Sequence, residues 1–419
     1  MVFPAKPGSQ KRPHYDEKID DLEKPGNGTV SSGIQVKRKR VFDFDAHPRR
    51  KIALQFLYYG WEFEGLVQQT TSENTVEKHL MDALLKTKLI TSEKDCDFSR
   101  CGRTDKGVSA FKQVAAVVVR SHDIDGAFVF WPESTEKSVI ENYPKKEELS
   151  YLKMLNGVLP RNISVIAWAP VPRDFSARHA CNMRIYKYSL PRANLDIEAM
   201  RRAGALLVGT HDFRNFCQVD MNEKRVTMSF VRELFEVRIE LISSSTNAQS
   251  RNDLIELTIK GSGFLWHMIR YIVTVLHEIG RGNEQPELVS ELLDVEKTPC
   301  RPHYSLAAAT PLCLYECRFD SSNLEWITDE VTLKKTVANL QSDWADFQTK
   351  ARLIENMVDA LTESPFGSGI DLNKGLLEFT QDRPLPVRYV KFADRKTCDS
   401  LEQKREKLER KKQAMNSSG

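Results

Sequence analysis

Between Ser99 and Phe111 the sequence reads SRCGRTDKGVSAF, and Asp105 is the only acidic side chain in it. Arg103 and Lys106 flank it, among glycine, serine and alanine too small to build a core. Two cations beside one carboxylate favour its ionised form. That form suits a nucleophile or a group that stabilises a developing cation. It suits a general acid poorly, because that role needs a raised pKa. A plainer reading is an Asx-turn, in which the carboxylate satisfies backbone N–H groups of a tight loop. The spacing also approaches the phosphate cradle G-x-x-x-x-G-K-[ST]. Here, however, Lys106 precedes Gly107 instead of following it, and an acid would face the phosphate. The cradle is excluded.

A second set of polar residues lies in GFLWHMIRYIVTVLHEIGRG, which is otherwise apolar nearly all round. His267, Arg270, Thr274 and His277 fall on one stripe at helical spacing, either as a solvent face or as buried groups. A buried Arg270 requires an anionic partner, since an unpaired buried charge costs several kcal/mol. No acid lies within one turn N-terminal of it, and Asp105 is the long-range partner considered, as a hypothesis. In RIYKYSL, Tyr186 and Tyr188 share one strand face beside Arg184. Such rings pack in cores, and interleaved with Arg and Lys they also stack on single-stranded or flipped bases. GTHDFRNFCQ holds His211, Asp212, Arg214 and two phenylalanines and reads as loop plus core.

These residues need elements to position them. KIALQFLYYGWEF reads as a strand ending at a glycine turn. ENTVEKHLMDALLKTKLI puts Val76, Leu80, Ala83, Leu84 and Leu85 near helical spacing behind an Asn74/Thr75 start. QVAAVVVRS and ISVIAWAPV are apolar strands, ELSYLKMLNGVLP is a helix between them, and the polar stretch 122–147 reads as an insertion. A similar order returns in MRIYKYSL, DIEAMRRAGALLVG, VRELFEVRIELI, DLIELTIKGSG and the long apolar helix. Two α+β half-domains sharing one large sheet are expected. The expected divisions are a disordered basic segment 1–48, half-domains 49–172 and 173–320, a helical extension 321–395, and a basic tail 396–419.

The chain has 419 residues, 41% hydrophobic and 28% charged, which fits a folded protein with a sizeable core. The formal net charge is only +3, so affinity for a polyanion must come from clusters. One lies between Lys37 and Lys51, with seven Lys/Arg against two Asp, and reads as a nuclear-import signal, a polyanion-binding arm or a solvated tail. No apolar run reaches the ~18 residues that span a bilayer, and the N-terminus lacks the apolar core of a signal peptide. No membrane association is expected, and the location is expected to be nucleus and/or cytoplasm. Eight scattered cysteines without a C-x-x-C pair read as thiols in a reducing compartment. A zinc site from Cys313, Cys317 and a distant histidine is the one metal arrangement weighed, and no metal is expected.

GRTDKGVSA, YKY, GTHDFRNF and GSGFLWHMIRYIV, in that order, resemble the TruA-type tRNA pseudouridine synthases. RKIALQFLYYGWEFEGLVQQ, DFRNFCQVD and ELVSELLDVEKTPCRPHYSLAAATPLCLYEC resemble the eukaryotic branch that modifies the 3′ side of the anticodon loop, at positions 38/39. The resemblance runs from about residue 50 to 318. It implies the α/β (α+β) pseudouridine synthase fold, two similar halves forming a mixed, mostly antiparallel sheet with a central cleft. It implies that Asp105 is the catalytic aspartate, that Tyr186 contacts the uracil, and that Arg270 pairs with Asp105. Arg103 and Lys106 would then contact phosphate or ribose. The implied partner is the tRNA anticodon stem-loop, the implied chemistry needs no cofactor, and a homodimer is the assembly bacterial relatives suggest. The 122–147 insertion, Ser109 where bacterial relatives often have histidine, and the long C-terminal region depart from the pattern. Two other readings stand beside this one: a sister-branch synthase acting at other tRNA positions, and a non-catalytic tRNA-binding or chaperone protein.

Overall fold

The computed structural model describes residues 42–219, 227–242, 250–320, 324–365, 367–382, 384, 386 and 388–416. The basic run 37–40 and the rest of the segment up to residue 41 lie outside the described residues. The chain separates into two units, Met1–Phe42 and Asp43–Gly419, and every element below belongs to the second.

Among the described residues ten strands form one sheet: β1 (Arg49–Tyr58), β2 (Ser99–Arg100), β3 (Ser109–Arg120), β4 (Val129–Phe130), β5 (Ile163–Pro170), β6 (Cys181–Pro191), β7 (Gly209–Asp212), β8 (Val231–Ile242), β9 (Leu254–Gly261) and β10 (Leu312–Phe319). Their main order is β4-β1-β3-β10-β6-β9-β8-β7, with β5 on β1 and β2 on β3. All pairs are antiparallel except β10 with β3, so the sheet is mixed and mostly antiparallel. Strands from residues 49–170 lie on one side, strands from 181–261 on the other, and β10 stitches them together.

β1 and β3 are buried on both faces, as their near-continuous apolar sequences require. Arg50 and Lys51 are buried too. Arg50 pairs with Glu148 at 2.7 Å and Asp123 at 3.3 Å, and Lys51 with Asp97 at 2.5 Å. These two cations of the 37–51 cluster are therefore core ion pairs, unavailable to a polyanion. The 122–147 insertion carries the short β4 and a helix, α2 (Lys137–Glu141), and supplies Asp123 to one of those pairs.

Helix α1 (Val76–Lys86) starts where Thr75 accepts a hydrogen bond from the Lys78 N–H, a standard N-cap. It buries Val76, Leu80, Met81, Ala83 and Leu84, with Met81 taking the place expected of Leu85. Helix α3 (Tyr151–Asn156) packs near β5, and α4 (Ile197–Ala205) is capped by Asp196. The long apolar helix α5 spans Met268–Gly280 and is buried throughout. It starts later than its hydrophobic run because His267 has φ +63°, outside helical space. After α6 (Leu288–Leu293) and β10 come a 33-residue helix α7 (Glu330–Thr362), α8 (Lys374–Phe379) and a basic helix α9 (Leu401–Asn416). No described helix is long and apolar enough to cross a membrane.

Candidate active site

Asp105 sits in the loop that joins β2 to β3, and the chain from 58 to 66 wraps it closely. The Leu66 N–H donates to Thr104 O at 3.2 Å, and the Gly107 N–H to Phe63 O at 3.3 Å. The Gly60 N–H donates to Ser109 Oγ at 2.9 Å, and the Tyr58 hydroxyl bonds Thr104 Oγ1 at 2.7 Å in the core. From β3, Gln113 Nε2 donates to Gly102 O at 3.1 Å. Two glycines make this approach feasible. A Cβ on Gly60 would lie 1.9 Å from Val108 O, and Gly107 has φ +80°, a conformation other residues adopt only with strain. The small residues thus let two backbones touch and leave the aspartate no freedom to drift.

The Asp105 side chain is 28% exposed. Its carboxylate takes no local backbone N–H, so the Asx-turn is absent. It faces His267 Nε2 at 3.3 Å and Arg270 Nη1 at 3.9 Å, both from the start of α5. The neighbouring cations turn elsewhere: Lys106 pairs with Glu64 at 2.7 Å on the surface. Arg103 is exposed and lies near Glu77, whose carboxyl burial pushes up and Arg100 and Arg103 pull back down.

Arg270 is buried, as the apolar helix around it demands. Its Nε donates to Ala307 O at 2.6 Å and its Nη2 pairs with the Asp382 carboxylate. The guanidinium therefore bridges two acids, Asp105 from the first half and Asp382 from the C-terminal region. Further along the stripe, Thr274 donates to Ser305 O at 3.0 Å, and His277 Nδ1 meets Gln381 Nε2 at 3.1 Å. Arg270, Thr274 and His277 are buried and His267 is partly buried, so the stripe is not a solvent face. Burial lowers the His277 pKa to about 3, so this imidazole is neutral.

Burial also pushes His267 below its ordinary range; the Asp105 carboxylate opposes this and Arg270 adds to it. His267 Nε2 approaches the carboxylate at 3.3 Å, and its Nδ1 is buried without a partner among the described residues. His267 holds this place through a left-handed backbone conformation, strain of the kind found where function constrains geometry.

Tyr186, at the centre of β6, is 9% exposed and meets Phe264 edge-on at 5.0 Å. Its hydroxyl has no partner among the described residues. Burial raises its pKa well above the ordinary tyrosine value, so it stays a neutral phenol. Tyr188, two residues on, donates to Ala308 O at 3.0 Å and is the packing member of the pair. In GTHDFRNFCQ, Phe213 and Phe216 are fully buried and Asp212 pairs with Arg214 at 2.7 Å.

Two participants escape sequence reasoning. His267 stood on the polar stripe, yet nothing there marked it as a contact of Asp105. Asp382 lies 112 residues from Arg270 in a Pro-rich stretch, with no spacing to betray it. Cys317 adjoins Cys101 and Cys181 and not Cys313. Four residues along a strand separate 313 from 317 by about 13 Å, too far to share an ion.

The family described as tRNA pseudouridine synthase matches residues 203–320. A probable tRNA pseudouridine synthase of Caenorhabditis elegans is 55% identical over 385 residues, covering 91% of this chain and 95% of that protein. The tRNA pseudouridine(38/39) synthase of Homo sapiens is 38% identical, covering 87% of this chain and 78% of its own. That of Saccharomyces cerevisiae is 34% identical, covering 98% and 89%. With such identity sustained along nearly its full length, the chain belongs to the tRNA pseudouridine synthase family.

Proposed function

We propose that the protein isomerises uridine to pseudouridine at positions 38/39 of the tRNA anticodon stem-loop. The relatives' names support the substrate and position. One observation carries the chemistry: a partly exposed Asp105 carboxylate, locked in a glycine-lined loop, is faced by His267 and Arg270 from the opposite half.

The reaction breaks C1′–N1, turns the uracil, joins C5 to C1′, protonates N1 and removes the C5 proton. Atoms balance without a redox step or cofactor. The uridine must first leave its stack at roughly a few kcal/mol, least in a loop or at a stem end. Asp105 then attacks C1′ or C6, or removes the 2′ proton, and each route uses the carboxylate as an anion. Arg270 and the His267 imidazole face it. Tyr186, a neutral phenol, is a poor base and suits contact with the uracil face. Arg103 and Lys106 are exposed near the loop for phosphate, Lys106 exchanging Glu64 for it.

Incubation of the purified protein with unmodified tRNA, followed by mapping of pseudouridine, tests this reading. Modification at 38/39 is expected, and Asp105→Ala abolishes it while tRNA affinity stays within a few-fold. Modification elsewhere would assign the sister branch, and none at all would leave a binding or chaperone role.

A homodimer is proposed as the working assembly. Helix α7 exposes Trp344, Ile354, Val358 and Leu361 on one stripe, an apolar face that a second copy would cover. Light scattering of the purified chain checks it, with a monomer as the contrary result. Residence in nucleus and/or cytoplasm is likewise proposed, and imaging with the 37–40 basic run replaced by alanine tests its role in import.

A further inference from the structure

Behind the Asp105 loop, three thiols converge. The sulfurs of Cys101, Cys181 and Cys317 all lie within 4.8 Å of one another, and all three residues are buried. Each comes from a different element. Cys101 begins the loop that carries Asp105 and bonds the β3 backbone, its N–H donating to Val114 O at 2.8 Å. Cys181 opens β6, five residues before Tyr186. Cys317 lies in β10, the strand that joins the two sides of the sheet. Arg184 sits beside the group. Its guanidinium is fixed by Cys101 O at 3.1 Å, Ser262 O at 2.8 Å and Arg178 O at 2.9 Å.

We infer that these three cysteines form a binding site for a thiophilic d10 cation, Zn2+ or Cu+, held by three thiolates. Zn–S bonds of ~2.3 Å place three sulfurs about 4 Å apart, so contraction of less than about 1 Å completes the site. Thiolates select these ions over harder ones, and all three cysteines are buried. Charge also balances. Three thiolates and Zn2+ leave one negative charge, and the fixed Arg184 guanidinium supplies the opposite one beside it. Such an ion would tie the Asp105 loop, the Tyr186 strand and the seam strand at a single point, a structural role distinct from the isomerisation.

The test uses the full chain, reduced with a non-chelating phosphine and handled without oxygen. It is titrated separately with Co2+ as an optical probe, Zn2+ and Cu+. One ion per chain is expected, with a thiolate-to-cobalt charge-transfer band that Zn2+ abolishes, and an unfolding temperature raised by the bound ion. X-ray absorption on the loaded wild-type protein should find three sulfur neighbours. Cys181→Ser and Cys101→Ser, checked for native folding by near-ultraviolet dichroism, should each weaken binding at least 30-fold, while Cys96→Ser binds as wild type. Failure of the wild-type chain to bind any of the three ions, a first shell dominated by nitrogen and oxygen, or unchanged binding in folded Cys181→Ser overturns the site. The absorption measurement needs no variant, so misfolding of a mutant does not shield the inference.

Discussion

Asp105 is restrained from behind by backbone hydrogen bonds and in front by two side chains of α5. Its surroundings offer the His267 imidazole and the Arg270 guanidinium. Tyr186 adds an aromatic face whose hydroxyl has no partner among the described residues. At this scale Tyr186→Phe is expected to lower kcat several-fold or more while KM changes little, because the ring and its packing on Phe264 persist. Single-turnover kinetics on an anticodon stem-loop RNA measure the split, and an unchanged kcat would return that ring to packing alone. Asp382 holds the far side of the Arg270 guanidinium. Asp382→Asn should cost about tenfold in turnover, the worth of one charge-assisted hydrogen bond, with tRNA affinity within a few-fold.

The elements explain why the residues stay put. An added methyl on Gly60 would collide with Val108 O, so Gly60→Ala must push the 104–109 loop away. A stability loss of roughly 1–3 kcal/mol is expected, together with a disproportionate loss of activity, read by urea unfolding and turnover on one preparation. Helix α5 carries a pH signature as well. His277 has its folded pKa lowered to about 3 from an unfolded 6.5, so the unfolded chain takes up a proton first. Its contribution is therefore complete above pH 6.5 and falls away as pH drops from there towards 3. Near pH 5 the loss from this group is roughly 2 kcal/mol. Urea midpoints measured from pH 7.5 to 5 should decline, and less steeply in His277→Gln. Much of this layer was legible in the sequence. The apolar runs of β1, β3 and α5 and the capped start of α1 declare themselves through periodicity. A buried Arg270 in so apolar a helix demanded an acid. What periodicity cannot convey is a left-handed residue: the φ of His267, which shortens α5 and aims the imidazole, arises from tertiary packing.

Across the whole molecule the formal net charge is only +3, so tRNA affinity must rest on local phosphate contacts. Binding should weaken steeply with salt, by a factor that log–log titration converts to a count of neutralised phosphates. Lys106→Ala should reduce that slope by about one if it meets the backbone. Asp382 and the three converging cysteines were invisible at this scale, because their partners lie scores of residues away and only the tertiary fold unites them. That order also sets a timetable. The strand that bridges β3 and β6 is β10, the last of the ten to leave the ribosome. Until residues 312–319 emerge, the nascent chain carries two open, apolar-flanked edges with no template between them. Such edges invite pairing with other chains. The nascent chain is thus most exposed to mispairing in the interval between the emergence of β9 and that of β10.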